Sequence, residues 1–217
     1  FDHDLFFIFI DSRTLLGDYF FIPYSLSSVD RLQLVEDKLS EIKGLVETIK
    51  NKSRAKIVLH NFEVPYYSPL GIVENKKDFG LIESIEKINF ELRASYKKDS
   101  QVFVFDFNAF ISQLGKVNLL DHKMYYLGDL KIALQNIPKL CEAYLSFIKP
   151  AASFTKKCIV LDLDNTLWGG IVGEDGLEGI KIGPTPEGRS FWEFQKYLLS
   201  LFQRGIVLAV NSKNNYE

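Results

Sequence analysis

Leu5-Phe6-Phe7-Ile8-Phe9-Ile10 is an unbroken apolar run, and its length predicts a strand buried on both faces. Ser27-Ser28-Val29-Asp30 reads as a helix N-cap with an acidic residue three positions after Ser27. Leu32, Val35, Leu39, Ile42, Val46 and Ile49 follow at spacings of three and four, the stripe of an amphipathic helix. Ala55 to Leu59 predicts a second strand, with Pro65 and Pro69 closing the loop after it. Leu81, Ile85, Ile88 and Leu92 predict a second helix, and Val102-Phe103-Val104-Phe105 a third strand. A third helical stripe, Ile137, Cys141, Tyr144 and Ile148, is predicted to stop before Pro150, with Pro138 in its first turn. Strands alternating with helices argue for an α/β domain with a parallel sheet and helices on its faces. That domain is expected over residues 1–150, with the weakly patterned stretch 151–157 as a linker.

A new strand is predicted from Cys158. Cys158-Ile159-Val160-Leu161-Asp162-Leu163-Asp164 stays apolar until two carboxylates arrive at its carboxyl end, where open parallel sheets take ligands. If the extended strand continues through them, Asp162 and Asp164 share a face, roughly 6.6 Å apart, with Leu163 turned into the core. Two carboxylates on a partly buried edge repel each other, and a divalent cation relieves that repulsion. No His or Cys cluster lies nearby, so hard, oxygen-ligated Mg²⁺ fits better than zinc, with Asp162 and Asp164 as its ligands. The pair also suits covalent chemistry: Asp162 attacks phosphorus as the nucleophile, and Asp164 serves as acid and then base. By itself D-x-D-x-T is short, and aspartates at a strand end also serve as helix caps.

Composition narrows the classes without choosing among them. Of 217 residues, 47% are hydrophobic and 25% charged, the averages of a globular protein. Lys and Arg number 26 against 28 Asp and Glu, and the net charge of −2 gives no electrostatic reason to expect nucleic acid or an anionic membrane as partner. The sequence shows neither a membrane-span-length apolar run nor a signal-peptide pattern, so a cytoplasmic location is expected. Cys141 and Cys158 are too few for a disulfide framework and are expected to act as small hydrophobes. The chain begins at Phe1 without methionine and stops just after a strand-like run, which reads as a fragment.

Context sharpens the aspartate motif. Lys157-Cys158-Ile159-Val160-Leu161-Asp162-Leu163-Asp164-Asn165-Thr166-Leu167-Trp168-Gly169-Gly170 resembles the first motif of the haloacid dehalogenase superfamily. Its continuation, Ile171-Val172-Gly173-Glu174-Asp175-Gly176, is similar to the FkbH-like branch, phosphatase subfamily IIIC. The resemblance covers residues 157–217 and implies the first part of a Rossmann-like phosphatase domain over 151–217. It implies a turn and flap at Gly169, Gly170, Gly173, Gly176 and Gly179, bent by glycine's freedom at positive φ. Pro184, Pro186 and Gly188 lead into a helix with Phe191, Phe194, Tyr197, Leu198 and Leu201 on its apolar face, ended by Gly205. The next strand, Ile206 to Val210, delivers Ser212, which resembles the second motif's phosphoryl-binding residue and is equally placed for a helix N-cap. Asn165, Thr166 and Lys213 are the implied substrate contacts. The superfamily's later motifs, a Lys or Arg and further acids, do not occur in this chain, so the fragment is expected to be inactive.

For the preceding segment the resemblance implies an SGNH-hydrolase-like α/β sandwich, a likeness of fold and not of function. Gly17-Asp18-Tyr19 and Gly128-Asp129-Leu130 lack the nucleophilic serine of such hydrolases, and Asp121-His122 lacks the spacing of their histidine motif. Asn61, after a strand, reads either as an oxyanion asparagine that binds substrate or as a turn residue. FkbH-like proteins take the glyceryl group of 1,3-bisphosphoglycerate, release phosphate and load an acyl carrier protein. The resemblance therefore implies a phosphorylated small-molecule substrate and an acyl carrier protein partner. A plain small-molecule phosphatase and a non-catalytic binding module are the alternatives.

Overall fold

The computed structural model describes residues 3–213, which fall into two compact units divided between Ser153 and Phe154. In the first, β1 (Leu5–Ile8), β2 (Lys56–His60) and β3 (Val102–Phe105) form a parallel sheet in the order β1-β2-β3. Leu5 pairs with Lys56, and Ile57 with Val102. Between and after the strands run α1 (Ser12–Leu16), α2 (Asp18–Phe21), α3 (Ser28–Lys52), α4 (Leu81–Tyr96), α5 (Phe107–Leu114), α6 (His122–Gly128) and α7 (Ile137–Ala151).

Because strand side chains alternate, central β2 feeds two cores. Ile57 and Leu59 join Val35, Leu39, Ile42 and Val46 of α3 and Leu81, Ile85, Ile88 and Leu92 of α4. Val58 turns the other way, into a cluster with Phe105, Phe107, Ile111 and Leu140 of α7. The result is an α/β fold with helices on both faces of a parallel sheet. β1 is an edge strand, so its run is half-buried rather than buried on both faces.

The cap predicted for α3 forms: the Ser27 hydroxyl accepts from Asp30 N at 3.2 Å. Its stripe differs by one position, because Leu32 is exposed while Arg31 is buried. Arg31 donates to the carbonyls of Leu26, Asp78 and Phe79 at 2.6–2.7 Å, which makes burying a guanidinium tolerable. α7 is also turned from its predicted face. Leu140 packs inward with Ala143, Tyr144 and Phe147, whereas Cys141 is exposed. The helix passes Pro150 and ends at Ala151, where Ala152 N bonds Ile148 O. A proline in a final turn removes only one of the bonds that would close the helix.

The second unit holds β4 (Cys158–Leu161), α8 (Val172–Gly179), α9 (Arg189–Gln203) and β5 (Val207–Val210). β4 and β5 pair in parallel, Cys158 with Val207 and Leu161 with Val210. α9 turns Leu198 inward, with Phe191 and Leu201 half-buried. Phe194 and Tyr197, predicted for that face, are exposed, and Gln195 takes the place by donating to Leu167 O at 2.7 Å. Gly205, at φ 92°, follows the helix end, with its N–H bonded to Phe202 O. Cys158 is exposed, so neither cysteine is the buried small hydrophobe expected.

Candidate active site

β4 ends at Leu161, so the aspartates lie beyond the strand and not within it. The chain turns at once: Thr166 N and Leu167 N both return to Leu163 O, at 3.1 and 2.8 Å, and Asn165 takes a left-handed φ of 55°. The spacing expected from an extended Asp162–Asp164 stretch therefore does not apply, and Leu163 is only half-buried. Asparagine tolerates that backbone better than most residues. Its side chain supports the turn, with Oδ1 accepting from Gly170 N at 2.9 Å.

The two carboxylates have different surroundings. Asp162 is exposed; its Oδ1 accepts from Leu163 N at 2.8 Å, and nothing among the described residues bonds its Oδ2. Asp164 is half-buried, and its Oδ1 accepts from Trp168 Nε1 at 3.0 Å and from Val172 N at 3.3 Å. Asp164 thus anchors the loop that follows, while Asp162 projects from the sheet edge. Ser212 comes to that same edge through strand register: Leu161 pairs with Val210, and Asn211 N donates to Leu161 O at 2.8 Å. Ser212 is half-buried and Lys213 exposed, while Thr166 is half-buried within the turn.

Beyond the turn, Gly169 and Lys181 exchange backbone bonds of 3.0 and 2.8 Å, closing a flap that carries α8. Gly169 is buried there, and a Cβ would meet the Phe191 ring at 2.9 Å. Of the five glycines expected to bend the flap, only Gly170 and Gly176 have positive φ. Gly179 instead makes room for the side chain of Asp175, whose Oδ2 accepts from Ile171 N at 2.8 Å.

The described residues contain no group of three or more His, Cys, Asp or Glu able to hold a metal. The donor set at the sheet edge nevertheless suits Mg²⁺, since Asp162 and Asp164 offer only oxygen donors and this ion commonly takes one or two carboxylates plus waters and substrate phosphate.

Asn61 belongs to the first unit. It is buried, its Nδ2 donates to Asp106 Oδ1 at 2.8 Å, and its Oδ1 accepts from Asn108 N at 3.0 Å. Both ends of the amide join β2 to the start of α5. Sequence reasoning passed over Ser12, which stands after β1 on the carboxyl side of the sheet. Asp11 caps α1 there, and the buried Ser12 hydroxyl donates to Glu63 Oε1. The pair Asp11-Ser12 following an apolar run was the available signal.

The family described as FkbH, N-terminal domain, matches residues 1–149, well over half of the chain, and the chain belongs to it. The chain is also similar to the crystal structure of the N-terminal part of the protein BF1531 from Bacteroides fragilis, described as containing a phosphatase domain and complexed with Mg. The TM-score is 0.82 and the identity 28%, over 98% of this chain and 55% of that one. This chain thus spans about half the length of that relative. No curated protein matches. No helix among the described residues is long and apolar enough to cross a membrane.

Proposed function

We propose that residues 151–217 form the first part of a haloacid-dehalogenase-type domain, and that the whole protein performs Mg²⁺-dependent phosphoryl transfer through an aspartyl-phosphate. One observation carries the reading: parallel register brings the segment of Ser212 beside exposed Asp162 at a carboxyl sheet edge, with Asp164 two residues further on. The similarity to a structure described as a phosphatase domain complexed with Mg supports it.

In this reading Asp162 Oδ2 attacks phosphorus, breaking the bond to the leaving oxygen and forming the acyl phosphate. Asp164, steadied by Trp168 and Val172, gives a proton to that oxygen and then takes one from the water that hydrolyses the intermediate. Ser212 donates to a phosphoryl oxygen, while Asn165, Thr166 and Lys213 border the substrate. Mg²⁺ held by Asp162 and Asp164 would neutralise phosphoryl charge.

The first unit, 1–150 in this reading, is an SGNH-hydrolase-like domain, with Ser12 at the start of the segment after β1 as its support. Family membership extends the proposal to a cytoplasmic protein that loads the glyceryl group of 1,3-bisphosphoglycerate onto an acyl carrier protein and releases phosphate. The test uses the whole protein with Mg²⁺, 1,3-bisphosphoglycerate and phosphopantetheinylated carrier. A glyceryl-sized gain in carrier mass, lost in Asp162→Asn, is the expected result. Phosphate release without that gain would reduce the proposal to a plain phosphatase, and the absence of both products would overturn it.

A further inference from the structure

Charge is segregated in the first unit. Strands and helices alternate, so the carboxyl ends of α3 and α4 lead into the amino ends of β2 and β3, and the end of α7 lies beside Leu5 and Lys56 at the same edge. The segments there, 50–56, 97–101 and 149–153, carry seven Lys and Arg against a single acid, Asp99, with Asp4 before β1. The chain as a whole stands at −2, so this excess is local.

Two of the seven are engaged. Lys50 pairs with Glu47 and Asp99 at 3.1 and 2.7 Å, and Lys56 Nζ donates to Ser100 O at 2.8 Å. Lys52, Arg54, Lys97, Lys98 and Lys149 are exposed, and among the described residues no ion pair joins any of them to a carboxylate. Cations gathered on one edge repel one another and draw in acidic groups over about 8–10 Å at physiological salt.

Between the ends of α3 and α7 the edge opens into a recess of about 960 Å³, bounded by Lys50, Lys52, Arg54, Lys56, Ile148 and Ala151. No aromatic side chain among the described residues lines it, so it offers no platform on which bases could stack. Two helices end at it, where carbonyls carry partial negative charge, and Asp4 stands in its wall. A phosphodiester chain or an anionic lipid surface brings phosphate against those carbonyls. A protein surface brings carboxylates to the cations and N–H donors to the carbonyls and Asp4.

We infer that the amino edge of the first sheet is a docking surface for a protein partner rich in Asp and Glu. Carboxylates of the partner meet Lys52, Arg54, Lys97 and Lys98, and one of its side chains enters the recess. The inference rests on no chemistry at Asp162.

The test measures binding of a labelled Glu-rich helical peptide to the whole protein and locates it by amide NMR. The controls are the same peptide with Gln for Glu, an oligothymidylate of equal charge, and vesicles of phosphatidylcholine and phosphatidylserine. The Glu-rich peptide is expected to give saturable shifts in residues 50–56, 97–101 and 148–152, and to bind at least about tenfold more tightly than any control. Lys52→Glu combined with Arg54→Glu should weaken it at least about tenfold, while Lys123→Glu, at an exposed position of α6, should leave it unchanged. Lys97→Gln with Lys98→Gln keeps the test intact if the first pair disturbs the end of α3. No saturable shifts at these residues, tighter binding of the oligothymidylate or the vesicles, or indifference to both double variants would overturn the inference.

Discussion

Val58 and Val160 occupy similar places, each inside a short parallel strand, yet Val58 is fully buried and Val160 is 63% exposed. The contrast extends to their units. The first buries apolar side chains on both faces of its sheet, whereas Leu161 and Leu198 are the buried apolar residues among those described in the second. Hydrophobic patterning is comparable in the two regions, because it records what a segment can bury, while burial itself needs a neighbouring layer. Within this chain buried apolar surface is accordingly concentrated in the first unit, and the aspartates that carry the proposed chemistry stand in the second.

The largest expected effect sets the two units of this comparison apart. Ile88→Ala, at a fully buried α4 position, should cost about 2–5 kcal/mol, while Val160→Ala should cost less than about 0.5 kcal/mol. Urea unfolding of both variants checks this, and similar losses would break the contrast. Arg31→Ala follows, at about 3 kcal/mol, because it leaves the carbonyls of Leu26, Asp78 and Phe79 without their shared donor.

His60 sharpens the comparison through pH. It is buried with Nδ1 unpartnered and Nε2 at 2.8 Å from the Tyr144 hydroxyl, and burial lowers its pKa to about 4. The unfolded chain then binds more protons between pH 6.5 and 4, so stability falls as pH drops through that window. From pH 7 to 5 the loss from this group should be about 2 kcal/mol, and His60→Phe should flatten the profile in urea titrations. Ser27→Ala should remove about 1 kcal/mol with the lost α3 cap, measured by thermal unfolding.

The legible parts were those fixed locally. Ser27 and the spacing Val35, Leu39, Ile42, Val46 lie within one helix, so cap and core face followed from a few neighbouring residues. The burial of Arg31 could not be read that way, because two of its three acceptors lie 47 and 48 residues away. Asp162 and Asp164 were visible as candidates from the motif, but their backbone was not: the turn onto Leu163 O and the left-handed Asn165 replace an extended strand. The bond from Ser12 to Glu63 was missed because its partners lie 51 residues apart and meet only in the packed structure.

The most direct test of the central claim is to quench the whole protein during turnover with Mg²⁺ and 1,3-bisphosphoglycerate, reduce it with borohydride and map the modified residue by mass spectrometry. An aspartyl-phosphate is reduced to homoserine, so the account predicts homoserine at position 162 and none at that position in Asp162→Asn. Phosphate release that persists in Asp162→Asn, or homoserine found at another aspartate, would contradict it.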